Sequence, residues 1–259
     1  MSTTSTHQRP HIVAVFGGND VESPVAEKAR TTARQIVARG AIVLTGGDGR
    51  NNRTQNVKDV ANLAARSAGR WISVLNTRPG ERRGLSRVGR GAIVRPQTGD
   101  QRNLLEPWMS DACVVLATGA GDGTFSELVS ALCLGRPILL VGDPATWNDG
   151  RPWSHVHGWF ESGRVDHSSA EAITRHVRTH LGEGAITDLI RATLTAANLC
   201  ADRTYTFLGP GEDAAADRWI ADRLAVGQVG EFPAITSTDV AVQAEFRSIE
   251  SAYKQWLTK

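Results

Sequence analysis

The sequence predicts an α/β protein built on a doubly wound parallel sheet. Six short apolar runs alternate with helical patterns between residues 11 and 181, as repeated β-α-β units do and hairpins do not. The runs are continuously apolar rather than alternating, as strands buried on both faces are. Three of them end in glycine clusters, at Gly17-Gly18, Gly46-Gly47 and Gly119 to Gly123. In an open parallel sheet, ligands sit at the carboxyl ends of the strands.

The first strand is His11 to Phe16, ending in Gly17-Gly18-Asn19-Asp20. A helix follows over Pro24 to Arg39, with Ser23 as N-cap, Pro24 at the first helical position and Gly40 as the stop. Ala41 to Thr45 is the second strand, closed by Gly46-Gly47-Asp48-Gly49. The polar stretch Arg50 to Asn56 reads either as a solvated loop or as a loop over a ligand. The next helix spans Val57 to Ala68, apolar at 57, 60, 61, 64 and 65, and Gly69 stops it. Trp71 to Leu75 is the third strand.

Asn76 to Arg90 reads as a loop, and the arginines at 78, 82, 83, 87, 90 and 95 fit a solvated segment better than a phosphate-facing flap. Ala92 to Val94 is a short fourth strand, followed by a turn holding Thr98 and Gly99. The helix from Gln101 to Ser110 carries Pro107, which kinks or shortens it. Arg102 stands at its start, where a cation opposes the helix dipole, so an anionic partner is expected there.

Ala112 to Ala117 is the fifth strand. The chain then turns through Gly119, Gly121 and Gly123, and an amphipathic helix begins after Thr124 with Phe125, Leu128, Val129 and Leu132. This reading places Glu127 in the first helical turn. Strand, glycine loop and helix start bring free backbone N–H groups and a partial positive charge together, which favours a phosphate. The loop is neither a P-loop nor the dinucleotide fingerprint, since no Gly-Lys-Ser/Thr follows and the third glycine is absent. Plain turn chemistry is the alternative for each glycine cluster.

Pro137 to Val141 is the sixth strand. Gly142 to Phe160 carries Trp147, Trp153, Trp159, His155 and His157, and either walls a base pocket or packs as a surface loop. Ser168 to Leu181 is helical. Beyond it, Ile186 to Cys200, Gly211 to Val226 and Thr238 to Leu257 have helical periodicity, with a short strand at Tyr205 to Leu208. The expected organisation is a disordered N-terminus over 1–10, a Rossmann-like nucleotide-binding domain over 11–182 and a helical extension over 183–259.

Composition narrows the function classes. The formal net charge of +2 gives no bulk electrostatic case for a nucleic-acid partner. No apolar run approaches the ~18 residues of a membrane span. Cys113, Cys133 and Cys200 have no metal-ligand or CxxC spacing, so the reading is reduced, mostly buried thiols, a cytoplasmic setting and no metal site.

The stretch Gly119-Ala120-Gly121-Asp122-Gly123-Thr124-Phe125-Ser126-Glu127 resembles the Pro-Gly-Gly-x-Gly-Thr-x-x-Glu hallmark of the lysine decarboxylase-like proteins, also called Lonely Guy (LOG) or SLOG proteins. Arg102 lies nine residues before Asp111-Ala112, the spacing of that family's catalytic arginine. Arg102-Asn103 and the preceding Thr98-Gly99 are similar to the branch of molybdenum-cofactor carrier-like proteins. Gly119-Ala120 stands in place of Pro-Gly. Gln55-Asn56-Val57-Lys58 replaces the usual Gly-Leu-Met helix start, and Asn103 replaces the lysine of the phosphoribohydrolases.

The resemblance implies a SLOG-type Rossmann-like fold, usually dimeric or a higher homo-oligomer. It implies a nucleoside 5′-monophosphate phosphoribohydrolase, releasing a base and ribose 5-phosphate with no cofactor required. Glu127 would be the carboxylate at the ribose and Arg102 the cation. Gly17, Gly18, Gly46, Gly47, Thr98, Gly99, Asn103, Gly119, Gly121, Asp122, Gly123 and Thr124 would hold the phosphate and nucleotide. The second reading is a non-catalytic carrier or sensor that binds a nucleotide or a molybdopterin-type cofactor. A purely structural Arg102–Glu127 ion pair is the third.

Overall fold

The structure is a computed structural model, and it describes residues 10–19, 21–46, 56–74, 92–94, 102–116, 122–133, 136–142, 205–208 and 211–225. Seven strands form one parallel sheet: β1 (Ile12–Gly17), β2 (Ile42–Thr45), β3 (Trp71–Val74), β4 (Ala92–Val94), β5 (Ala112–Leu116), β6 (Ile138–Val141) and β7 (Tyr205–Leu208). The spatial order is β4-β3-β2-β1-β5-β6-β7. The chain therefore winds outward from β1 one way, crosses back to the other side of β1, and winds outward again. This is the doubly wound arrangement expected, with its switch point between β1 and β5. Those two strands end level, since Gly17 pairs with Leu116.

The helices are α1 (Ser23–Ala38), α2 (Val57–Arg66), α3 (Arg102–Met109), α4 (Asp122–Cys133) and α5 (Asp213–Ala225). Right-handed crossovers that step in opposite directions along the sheet put their helices on opposite faces. On one face α1, α2 and α5 share a core with Val13, Val15, Val43, Trp71, Val114 and Leu139. On the other, α3 and α4 pack on each other and on β1. They bury Leu105, Trp108, Met109 and Leu128 on the sheet.

Local chemistry sets the ends of these elements. The N-cap of α1 is Glu22 rather than the expected Ser23, and it makes no side-chain cap hydrogen bond. Proline enters within the first two positions, where its missing N–H has no intrahelical partner to lose. Gly40 and Gly69 adopt positive φ just after α1 and α2, as helix stops do. Pro107 lies inside α3 and the helix ends at Met109. Arg136 donates to the carbonyl oxygens of Pro107 and Trp108 at 3.1 and 2.7 Å, satisfying acceptors that the helix end leaves over.

Asp111 does more than mark a spacing. Its Oδ2 accepts from Ile12 N–H at 2.8 Å, and its own N–H donates to the Ile12 carbonyl at 2.7 Å. These two bonds pin the start of β1 to the start of β5.

The stretch assigned to the extension also supplies sheet. β7 pairs with β6 from Ile138–Tyr205 to Val141–Leu208, so the sheet continues past residue 182. α5 then returns over α1, burying Ala216 and Ile220. Lys28 pairs with Asp213 and Arg39 with Asp217 along that contact. No helix among the described residues is long and apolar enough to cross a membrane.

Cys113 on β5 is fully buried, and burial pushes its thiol up from 9.0 to about 12. Ser110 Oγ donates its hydrogen to the Pro107 carbonyl at 2.9 Å, so the Cys113 S–H donates to Ser110 Oγ at 3.3 Å. The folded state keeps this proton after the unfolded chain has lost it. Its contribution to stability is therefore complete below the unfolded pKa and is lost as pH rises toward about 12. Alkylation at pH 8 is expected to spare Cys113 in the native protein and to label it in denaturant. Native labelling, read by peptide mass spectrometry, would contradict this burial.

Candidate functional site

The site begins where α2 meets the end of β1. Val57 N–H donates to the Gly18 carbonyl at 3.1 Å. A Cβ at Gly17 would lie 2.5 to 2.9 Å from the Val57 side chain, so any other residue there would push α2 off the strand. Gly17 is thus required by packing. Asn56 caps α2, accepting from Asp59 N–H at 2.7 Å and donating back to the Asp59 carboxylate at 2.7 Å. With Val57 and Asp59 N–H already bonded, what α2 brings to the crevice is the side chain of its second residue, Lys58.

Lys58 is 5% exposed, and its ammonium lies 3.2 Å from the carboxylate of Glu127, which is fully buried. The two residues come from opposite helical layers. Val57, next to Lys58, is bonded to Gly18 at the end of β1, which sets the pair toward the carboxyl end of that strand, on the side of the β1–β5 switch point where such folds hold ligands. The contact satisfies charge without satisfying hydrogen bonding: among the described residues, both Glu127 carboxylate oxygens are buried with no hydrogen-bond partner. Burying two charges is costly and is offset fully only when further hydrogen bonds complete the pair.

Glu127 differs from expectation in position. The helix starts at Asp122 rather than after Thr124, so Glu127 lies in its second turn. Glycine is a weak helix former but is tolerated at a helix start, and Gly123 falls inside α4. Among the described residues, the cation found beside Glu127 is Lys58. Arg102 is the first residue of α3, which packs along α4, and its side chain lies outside the described residues.

Lys58 is the residue that sequence reasoning missed, having entered only as a departure from a family helix start. The available signal was electrostatic. A lysine in a helix's first turn opposes the dipole just as Arg102 does, and the same demand for an anionic partner applies. Its companion one turn on, Asn62, is also buried and donates to Ser73 Oγ at 2.7 Å.

Among the other expected site residues, Gly17 and Gly18 stand at the end of β1 and Gly46 directly after β2. Gly123 and the buried Thr124 lie in the first turn of α4, which Asp122 opens. Asn103 stands second in α3, and its Oδ1 is a buried acceptor without a partner among the described residues. Gly47, Thr98, Gly99, Gly119 and Gly121 lie outside the described residues, as do the tryptophan-rich segment 147–159 and the arginine-rich segment 78–90. The Asp122 side chain lies outside them too.

Comparison with known proteins follows the same lines. Residues 10–158 match the model of the SLOG cluster4 family. No curated protein matches the chain. Among solved structures it is similar to the molybdenum cofactor carrier protein of Chlamydomonas reinhardtii, at 20% identity over 84% of this chain and 99% of that one, with a TM-score of 0.48. It is similar to the molybdenum cofactor binding protein of Rippkaea orientalis at 22% identity, 73% and 97% coverage and a TM-score of 0.44. The DNA processing protein A of Helicobacter pylori follows at 16% identity, 75% and 85% coverage and a TM-score of 0.45. With more than half of its length matched by one family model, the chain belongs to the SLOG cluster4 family.

Proposed function

We propose that this protein binds a phosphate-bearing small molecule, a nucleotide or a molybdopterin-type cofactor, in the crevice at the carboxyl ends of β1 and β5, and holds it without cutting it. The observation that carries the proposal is the Lys58–Glu127 pair. Hydrolysis of an N-glycosidic bond builds positive charge on the sugar and needs a carboxylate whose charge is available to it. Here the ammonium of Lys58 stands 3.2 Å from Glu127 and offsets that charge. A holding site makes no such demand, and the unpartnered carboxylate oxygens suit sugar hydroxyls or the ring N–H groups of a pterin equally well.

The phosphoribohydrolase reading is the second one, because Arg102, at the family's spacing, and Glu127 are both retained. The cytoplasmic setting read from the cysteines and the homodimer implied by the resemblance belong to the same proposal.

The experiment has two parts. Protein purified without added ligand is denatured and its small molecules identified by mass spectrometry. Separately, it is incubated with a panel of nucleoside monophosphates and assayed for free base. A retained phosphate-bearing molecule and no base is the expected result. Base release that disappears in Glu127→Ala would replace the holding reading with the hydrolytic one.

A further inference from the structure

We propose that Lys58 is a ligand-positioning residue: the Lys58–Glu127 pair forms a clamp that takes a pair of hydrogen-bond donors from the phosphate-bearing ligand. The inference rests on the binding reading above and names the chemistry of that ligand away from its phosphate.

Three observations lead to it. First, Glu127 is fully buried, yet neither carboxylate oxygen has a hydrogen-bond partner among the described residues. An ionised carboxylate is purely an acceptor, with room for several donors. Native proteins seldom leave such a group unsatisfied without a functional reason.

Second, the position is right for a ligand. α2 is fixed to the end of β1 through Val57 and Gly18, and α4 packs on β1 and β5 from the opposite face. The pair they form therefore lies at the switch point, where a bound molecule would meet it.

Third, the charge is right for a phosphate-bearing ligand. A lone buried carboxylate would repel the phosphate at short range in a medium of low dielectric. Lys58 at 3.2 Å cancels that repulsion while leaving the carboxylate's acceptor capacity in place. Lys58 thus acts through Glu127: it fixes the orientation of the carboxylate and makes it tolerable beside an anion.

Two sources supply adjacent donors on such ligands. One is the vicinal diol of a ribose, and the other is the ring N–H and exocyclic amine of a guanine or pterin. The clamp is the same for both.

Affinities of AMP, GMP, IMP, 2′,3′-dideoxy-AMP, a pterin monophosphate and inorganic phosphate are to be measured by calorimetry. The proteins are the native chain, Lys58→Met and Glu127→Gln, with circular dichroism establishing that each variant is folded. Lys58→Gln replaces Lys58→Met where the latter does not fold.

Each substitution is expected to weaken the best-bound nucleotide or pterin by about 10- to 100-fold, the effect of leaving buried donors unpaired. Inorganic phosphate is expected to bind Lys58→Met more weakly, because the carboxylate's repulsion is no longer cancelled, and to bind Glu127→Gln no more weakly than the native chain. If the diol is the source, 2′,3′-dideoxy-AMP binds the native chain weakly and the Glu127→Gln loss vanishes for that ligand. If the ring is the source, a preference for GMP over IMP disappears in Glu127→Gln.

A pair with a purely structural role would lower the melting temperature of both variants and leave every dissociation constant unchanged. That result overturns the clamp while the binding reading stands. If no phosphate-bearing probe binds the native chain, both fall.

Discussion

Lys58→Met is expected to lower the unfolding free energy by about 3–5 kcal/mol, the cost of leaving a buried charge without its partner. Glu127→Leu is expected to cost a comparable amount, because it strands the ammonium of a lysine that is 5% exposed. The double variant is expected to recover most of the loss. Replacing both members of a buried pair by apolar side chains is often neutral or better, since neither charge then has to leave water. Urea unfolding of the native chain, both single variants and the double variant gives the coupling directly. Losses below about 1 kcal/mol that simply add would place the pair among exposed ion pairs and contradict its burial. Stability and ligand affinity are separate readouts here. The first reports what burial costs, and the second reports whether the unpartnered oxygens of Glu127 serve a ligand.

A chain ending at residue 182 is expected to lose its cooperative fold. It would lack β7, which runs parallel to β6 from Tyr205 to Leu208, and α5, which covers α1. Leu208 and Ile220 are 8% and 1% exposed, and burying such side chains is worth roughly 1.5–3 kcal/mol each. Two of them together, roughly 3–6 kcal/mol, are a large share of the stability of an ordinary domain, about 5–15 kcal/mol. Truncation also opens the hydrogen-bonding edge of β6, whose sequence is Ile-Leu-Leu-Val. An apolar unpaired edge invites association between chains. Size-exclusion chromatography and near-ultraviolet circular dichroism are expected to report aggregation and lost tertiary packing. A monomeric truncated chain with the melting temperature of the full one would make the C-terminal stretch an independent addition.

The fold was legible because its signals are local. Each of the first six strands is a short apolar run, and strands buried on both faces need no alternation to be seen. Gly40 and Gly69 mark two helix ends by a backbone preference that no neighbour has to supply. Element ends were less legible where propensity and packing disagree. Gly123 looked like loop and is helix, which moves Glu127 from the first turn to the second. Ser23 looked like the N-cap of α1, yet the cap falls on Glu22 with Ser23 already helical.

The candidate site was legible in part for the same reason. Glu127 and the glycines stood out through their own local pattern. Asp111 stood out as well, but only as a spacing marker. Its hydrogen bonds to Ile12 join residues 99 apart in sequence.

The sequence alone determined the class of the sheet and the strands that end in glycine, and it singled out Glu127 as a candidate. Hydrophobic period, turn chemistry and helix-start electrostatics act within a few residues, so they can be read along the chain. The tertiary structure decided two things that no local pattern carries. It placed β1 and β5 side by side, ending level at the switch point, and it chose Lys58 as the partner of Glu127. Both follow from the crossover that carries the chain back past β1. That crossing sets α2 and α4 on opposite faces of the sheet, and the Lys58 and Glu127 side chains they carry meet.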